Sequence, residues 1–175
     1  MNTLNEKTTQ LELRIQQLDL ANEKLQSIKI ELEKVQQHHA ETRDDDALSV
    51  FDRSKKIINL RSAVDVLTSD EARQQKAVAE LKAQVLSVAD ELFNVAGGET
   101  NSRIHSKTQQ LLTALKAEYD TSSTPGVEEL VKSHRSVRAL EEVRGGISIY
   151  GGLRDEGERL ARARNFRADV LERLV

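Results

Sequence analysis

The sequence predicts an all-α protein: a long antiparallel coiled-coil helical hairpin followed by a small C-terminal helical bundle. Three observations predict it. Leucine recurs at every seventh position, at Leu4, Leu11, Leu18, Leu25 and Leu32. A second apolar series runs from Val50 to Val95 on alternating three- and four-residue steps, the period of one helix face. The 175-residue chain has only three Phe, two Tyr and no Trp, a balance that suits long helices better than sheets.

The first helix is expected over about Thr3 to Arg43, where no Gly or Pro intervenes. Ala21, Ile28 and Val35 support the leucine row, whereas Lys7 and Arg14 fill the equivalent places near the start. Leu13, Ile15 and Leu20 lie off the row and widen the apolar face beyond a strict two-stranded seam. Asp44, Asp45 and Asp46 then suit a turn and the positive end of a following helix.

The second helix is expected from about Ala47 to Ala96 on Val50, Ile57, Leu60, Val64 and Leu67 and, after Glu71 and Gln74, on Val78, Leu81, Val85, Val88, Leu92 and Val95. Thr68 followed by Glu71 suggests a capping box and a kink near Thr68 to Asp70. Gly97 and Gly98 suggest the end of this helix, since glycine takes the left-handed conformation of a helix C-terminus without steric cost. A shorter helix follows from about Arg103 to Tyr119. After the loop DTSSTPG, Thr124 and Pro125 start another that runs to about Arg144. Five of the eight glycines crowd into Gly145 to Gly157 around ISIY, and the last helix reads from about Arg154 to Leu174. The domains expected are a stalk over residues 1–96 and a three-helix region over 97–175.

Pairing Leu32 with Ile57, Leu25 with Val64, Leu18 with Glu71, Leu11 with Val78 and Leu4 with Val85 centres the turn between Asp44 and Asp45. In that register Arg14, Glu71 and Gln74 meet as a polar layer, a device that fixes register at some cost in stability. The rival arrangement is a parallel homodimeric zipper. Val88, Leu92 and Val95 extend past Met1 in the hairpin and need cover from the later helices. Leu13, Leu20 and Ile30 are left over and point to self-association.

With 26 basic and 29 acidic residues the net charge is -3, so the chain as a whole does not attract nucleic acid. A basic-zipper reading needs a basic helix directly upstream of the leucines, and only three residues precede Leu4. There is no cysteine, which removes disulfides, thiolate metal sites and thiol catalysis and suits a reducing compartment. No apolar run approaches the ~18 residues of a membrane span. The adjacent His38 and His39 point roughly 100° apart, and with His105 and His134 they form no helical metal motif; neither a metal nor a cofactor is expected. No catalytic set of residue types converges, so no enzyme is expected.

RGGISIYGG, Arg144 to Gly152, fits neither a phosphate loop nor a dinucleotide fingerprint. It reads as an extended linker or, more sharply, as a mobile recognition loop in which Ile147, Ile149 and Tyr150 offer an apolar contact. RLARARNFR, Arg159 to Arg167, contains no acid. Its four arginines with Arg135, Arg138 and Arg144 make the C-terminal third locally basic, although nearby acids largely offset them.

The function expected is that of a non-enzymatic, cytoplasmic protein-protein assembly protein (scaffold, adaptor, chaperone or inhibitor). It would oligomerise, a dimer being favoured, and dock partners through Leu13, Leu20, Ile30, Val88, Leu92, Ile147, Ile149 and Tyr150, without a membrane. The layout looks like that of small helical adaptors of bacterial export systems and bacteriophages, a likeness of architecture alone. The alternative is a dimeric nucleic-acid-associated protein contacting phosphate through Arg135, Arg138, Arg159, Arg162, Arg164 and Arg167.

Overall fold

The computed structural model describes the backbone of residues 2–45, 48–120 and 127–174, and their side chains except at residues 2, 116–120, 127–131 and 133. The elements are α1 (Asn2–Asp44), α2 (Val50–Asp120), α3 (Val127–Gly152), α4 (Glu156–Arg164), a π-helical turn (Arg167–Leu171) and α5 (Glu172–Leu174). No strand occurs among the described residues, and no helix among them is long and apolar enough to cross a membrane. The two long helices pack against each other and smaller helices follow, as the sequence predicts. Asp46 and Ala47 of the expected turn, and the Thr124–Pro125 helix start, lie outside the described residues. Two compact units form, Arg14–Gln84 and Met1–Leu13 with Val85–Val175, where the sequence suggests a division at 96/97.

Arg14–Gln84 is a two-helix hairpin. Its second helix starts at Val50, later than expected, because Ser49 caps it: the Asp52 backbone N–H donates to Ser49 Oγ (3.2 Å), and that hydroxyl donates to Asp52 Oδ2 (2.6 Å). The later start moves the register. Gln74 Nε2 donates to the Ala21 carbonyl at 3.0 Å, which brings Leu18 level with Val78 and Leu25 level with Glu71. The expected pairing is therefore displaced by one heptad. A heptad seam matches itself every seven residues, so the turn decides between registers. Leu18 and Leu32 are buried, whereas Leu25, level with Glu71, is only half-buried. The expected polar layer does not form, since Arg14 is exposed and bonds Gln17 on its own helix at 3.0 Å. The helix also continues through Thr68, whose hydroxyl donates back to Val64 O at 2.8 Å instead of capping a new helix.

Most of the core lies in the other unit, where the start of α1, the later part of α2, α3 and the C-terminal helices meet. Leu4, Leu11, Val85 and Leu92 are buried, and Lys7 Nζ bridges to Glu91 Oε2 at 2.6 Å. The one-heptad displacement thus holds here as well, with Leu4 level with Leu92.

The largest correction concerns glycine. α2 does not end at Gly97–Gly98 but continues to Asp120, and neither glycine has a positive φ. Ala96 and Thr100 on either side are fully buried, with Thr100 Oγ1 donating to Ala96 O at 2.7 Å. Burial of these flanks outweighs the ~1 kcal/mol that each glycine costs a helix. Gly97 has a use: a Cβ there would lie 3.4 Å from Ile147 Cγ2, so its lack of side chain lets α3 come close. RGGISIYGG is likewise neither linker nor loop. It forms the last turns of α3, held by Val143 and Tyr150, which lie on one face and are both buried.

The last helix starts later than expected too. Asp155 caps α4 by accepting the Glu158 N–H at 2.8 Å. A turn at Asn165 and the π-helical turn then interrupt it. The wider turn directs the adjacent Val170 and Leu171 both inward, and Arg103 Nη1 donates to the Leu174 carbonyl near the chain end.

Two stability predictions follow from this packing. Gly98→Ala and Gly145→Ala, where an added Cβ meets nothing within 4 Å, should each raise stability in urea denaturation by about 0.5–1 kcal/mol; a loss would mean the helices stop there. Leu18→Ala should cost about 2–5 kcal/mol, and Leu20→Ala, on the outer face, no more than about 0.5 kcal/mol.

Candidate functional site

One polar constellation spans three helices of the Met1–Leu13 and Val85–Val175 unit. Asp90 on α2 accepts from Tyr150 Oη at 2.7 Å and from the Arg159 guanidinium on α4. Phe93, one turn beyond Asp90, stacks on the Tyr150 ring with centroids 3.7 Å apart and planes 7° apart, and meets the Phe166 ring edge-on at 4.9 Å. Arg159 also lies over the Tyr150 ring, 5.7 Å from its centroid, where a cation is attracted to the π face. Beside these groups is an open cleft of about 410 Å³ lined also by Asn94, Ile147, Gly151 and Leu153.

Tyr150 and Arg159 hold their protons firmly, and Asp90 is held ionised. Burial pushes the Asp90 carboxyl up, but hydrogen bonds from Arg159 and Tyr150 and the guanidinium charge outweigh it and hold the carboxyl below its ordinary value. Burial, then the hydrogen bond to Asp90 and its charge, push the Tyr150 phenol from 10.0 up to about 12. Arg159 is held more firmly protonated, chiefly by its hydrogen bond to Asp90. A tyrosine that keeps its proton and a carboxylate engaged by two donors are poor candidates for general base or nucleophile at neutral pH. The arrangement is a clamp fastening α3 and α4 to α2. Among the described residues no group of three or more His, Asp or Glu side chains could hold a metal ion.

Sequence reasoning missed Asp90, whose role depends on partners 60 and 69 residues away. It also placed Tyr150 in an exposed contact, whereas Tyr150 is buried with its hydroxyl on Asp90. Leu92 is fully buried, and Val88 and Ile147 are half-buried, so this part of the expected docking surface is largely internal.

The arginines proposed for anion contact are mostly paired. Besides Arg159, Arg138 lies 4.0 Å from Glu142, Arg162 lies 3.5 Å from Asp169, and Arg167 grips Glu12 in a two-point contact of 2.6 and 3.1 Å. Arg164 is engaged as well, and Arg135 is exposed.

The remaining expected contact residues, Leu13, Leu20, Ile30 and Ile149, are exposed. Three more went unnoticed in the sequence: Phe51 at 78%, Ile58 at 67% and Val66 at 58% exposure, all on α2. The signal was present as a second stripe at i, i+7 and i+15, on the side of the helix opposite Ile57, Leu60 and Val64. No protein-family model, curated protein or solved structure matches the chain.

The clamp has an alkaline signature. The folded Tyr150 phenol titrates above its unfolded value of 10.0, at about 12, so its contribution to stability is complete below pH 10 and is lost as pH rises toward 12. Denaturation midpoints should fall more steeply across this interval for the native chain than for Tyr150→Phe. At neutral pH that variant should lose about 1 kcal/mol, one hydrogen bond. Parallel pH curves for the two proteins would show that the phenol is not held in this way.

Proposed function

We propose that the protein is a non-enzymatic assembly protein that associates with itself and docks helical faces on other proteins, as a scaffold, adaptor, chaperone or inhibitor. The observation that carries this reading is the set of large apolar side chains left in water on the outer faces of the Arg14–Gln84 hairpin: Leu20, Ile30, Phe51, Ile58 and Val66. Covering one such side chain fully is worth ~1.5–3 kcal/mol. Scattered singly they would need no explanation, but Phe51, Ile58 and Val66 repeat along one face of α2, and that repetition supports the reading as a contact surface.

The non-enzymatic part of the reading is supported by the clamp, in which all three polar groups are committed to one another. Pairing of Arg138, Arg159, Arg162 and Arg167 with acids offsets the positive charge of the arginine-rich stretch and favours protein over nucleic acid as its partner. A cysteine-free composition suits the cytoplasm.

Light scattering over a concentration series should give a mass that rises above that of the monomer and persists in molar salt, because apolar contacts are not screened. A monomer at every concentration, together with low-salt binding to DNA or RNA, would replace this reading with the nucleic-acid one. A monomer that captures neither protein nor nucleic acid would overturn both.

A further inference from the structure

We infer that the outer stripe of α2, Phe51–Ile58–Val66, pairs antiparallel with the same stripe of a second copy. This inference rests on the reading of the protein as self-associating and specifies where and how the copies meet.

Two charges within the stripe decide the occupant. Lys55 lies between Phe51 and Ile58, and Asp65 adjoins Val66. Both are exposed, and no ion pair joins either to another described residue. A wholly apolar helix laid on this face would leave a buried ammonium and a buried carboxylate without partners, which is costly. A parallel second copy would bring Lys55 level with Lys55 and Asp65 with Asp65.

An antiparallel copy satisfies both charges. With a two-fold axis near Ile58 and Asn59, Phe51 of each copy comes level with Val66 of the other, so large meets small. Lys55 comes level with Ser62, a small exposed residue that the lysine stem can cross, and its ammonium reaches Asp65 one turn away. Each contact occurs twice, as a self-complementary two-fold interface requires. The stripe covers about four helical turns, less than the ~1,200–2,000 Å² of a standard interface. The pairing is therefore weak and reversible, and trapping it covalently is the suitable probe.

The chain has no cysteine, so an introduced one is its only thiol. Under mild oxidation of the full chain, Ile58→Cys, next to the two-fold axis, should link to itself. Phe51→Cys and Val66→Cys should each fail alone but link to each other when mixed. Adding Lys55→Asp to Ile58→Cys should cut the yield about tenfold, and a further Asp65→Lys should restore it, with circular dichroism unchanged throughout. Self-linking of Phe51→Cys and of Val66→Cys would establish a parallel pair and overturn the inference. If Ile58→Cys does not link although light scattering shows oligomers, this surface is wrong while self-association stands; a monomer in both experiments removes both.

Discussion

A pair of packed α-helices has a single seam, and apolar residues off that seam need a third element or remain in water. That constraint organises this protein. Where α3 and the C-terminal helices are present, α2 buries one continuous face, about a third of its circumference: Val85, Leu86, Ala89, Leu92, Phe93 and Ala96 are all inside. In the Arg14–Gln84 hairpin the seam residues Leu25, Ile57, Leu60 and Val64 are only half-buried. The same heptad pattern thus yields a core in one unit and a surface in the other.

Periodicity made the helices legible, but not their register or their ends. Leu4, Leu11 and Leu18 face inward as their spacing says, yet a repeat of seven cannot distinguish pairings that differ by seven. The choice came from Ser49, whose cap delays α2, and a serine among many gives little warning of that. Glycine misled in the same way. Gly97–Gly98 and Gly145–Gly146 resemble stops when read locally, and they are overridden by burial of Thr100, Val143 and Tyr150 nearby, which no local window contains.

The clamp was less legible still. Asp90 is one acid among many, and nothing near it in sequence announces Tyr150 or Arg159. Their convergence is a consequence of three helices packing around Phe93. The arginine-rich stretch had the opposite problem, since it attracts attention as a unit although its members have separate partners: Arg159 goes to α2, Arg162 to Asp169 of the π-helical turn, and Arg167 to Glu12 of α1. A run of like charges in sequence is not a patch in space when three of its four members are each paired with a separate acid.

The same distinction bears on the outer face of α2. An uninterrupted apolar stripe would adhere to any helix with a matching stripe, in either direction and in several registers. Lys55 and Asp65 weaken such adhesion, because each must find its opposite before water can be excluded from the neighbouring Phe51 and Val66. In the proposed pairing, what they cost in affinity they return as selectivity, since the antiparallel alignment pairs both charges and the parallel one pairs neither. A surface built this way suits association that is specific and easily reversed, the behaviour an assembly protein needs if it is to exchange partners rather than aggregate.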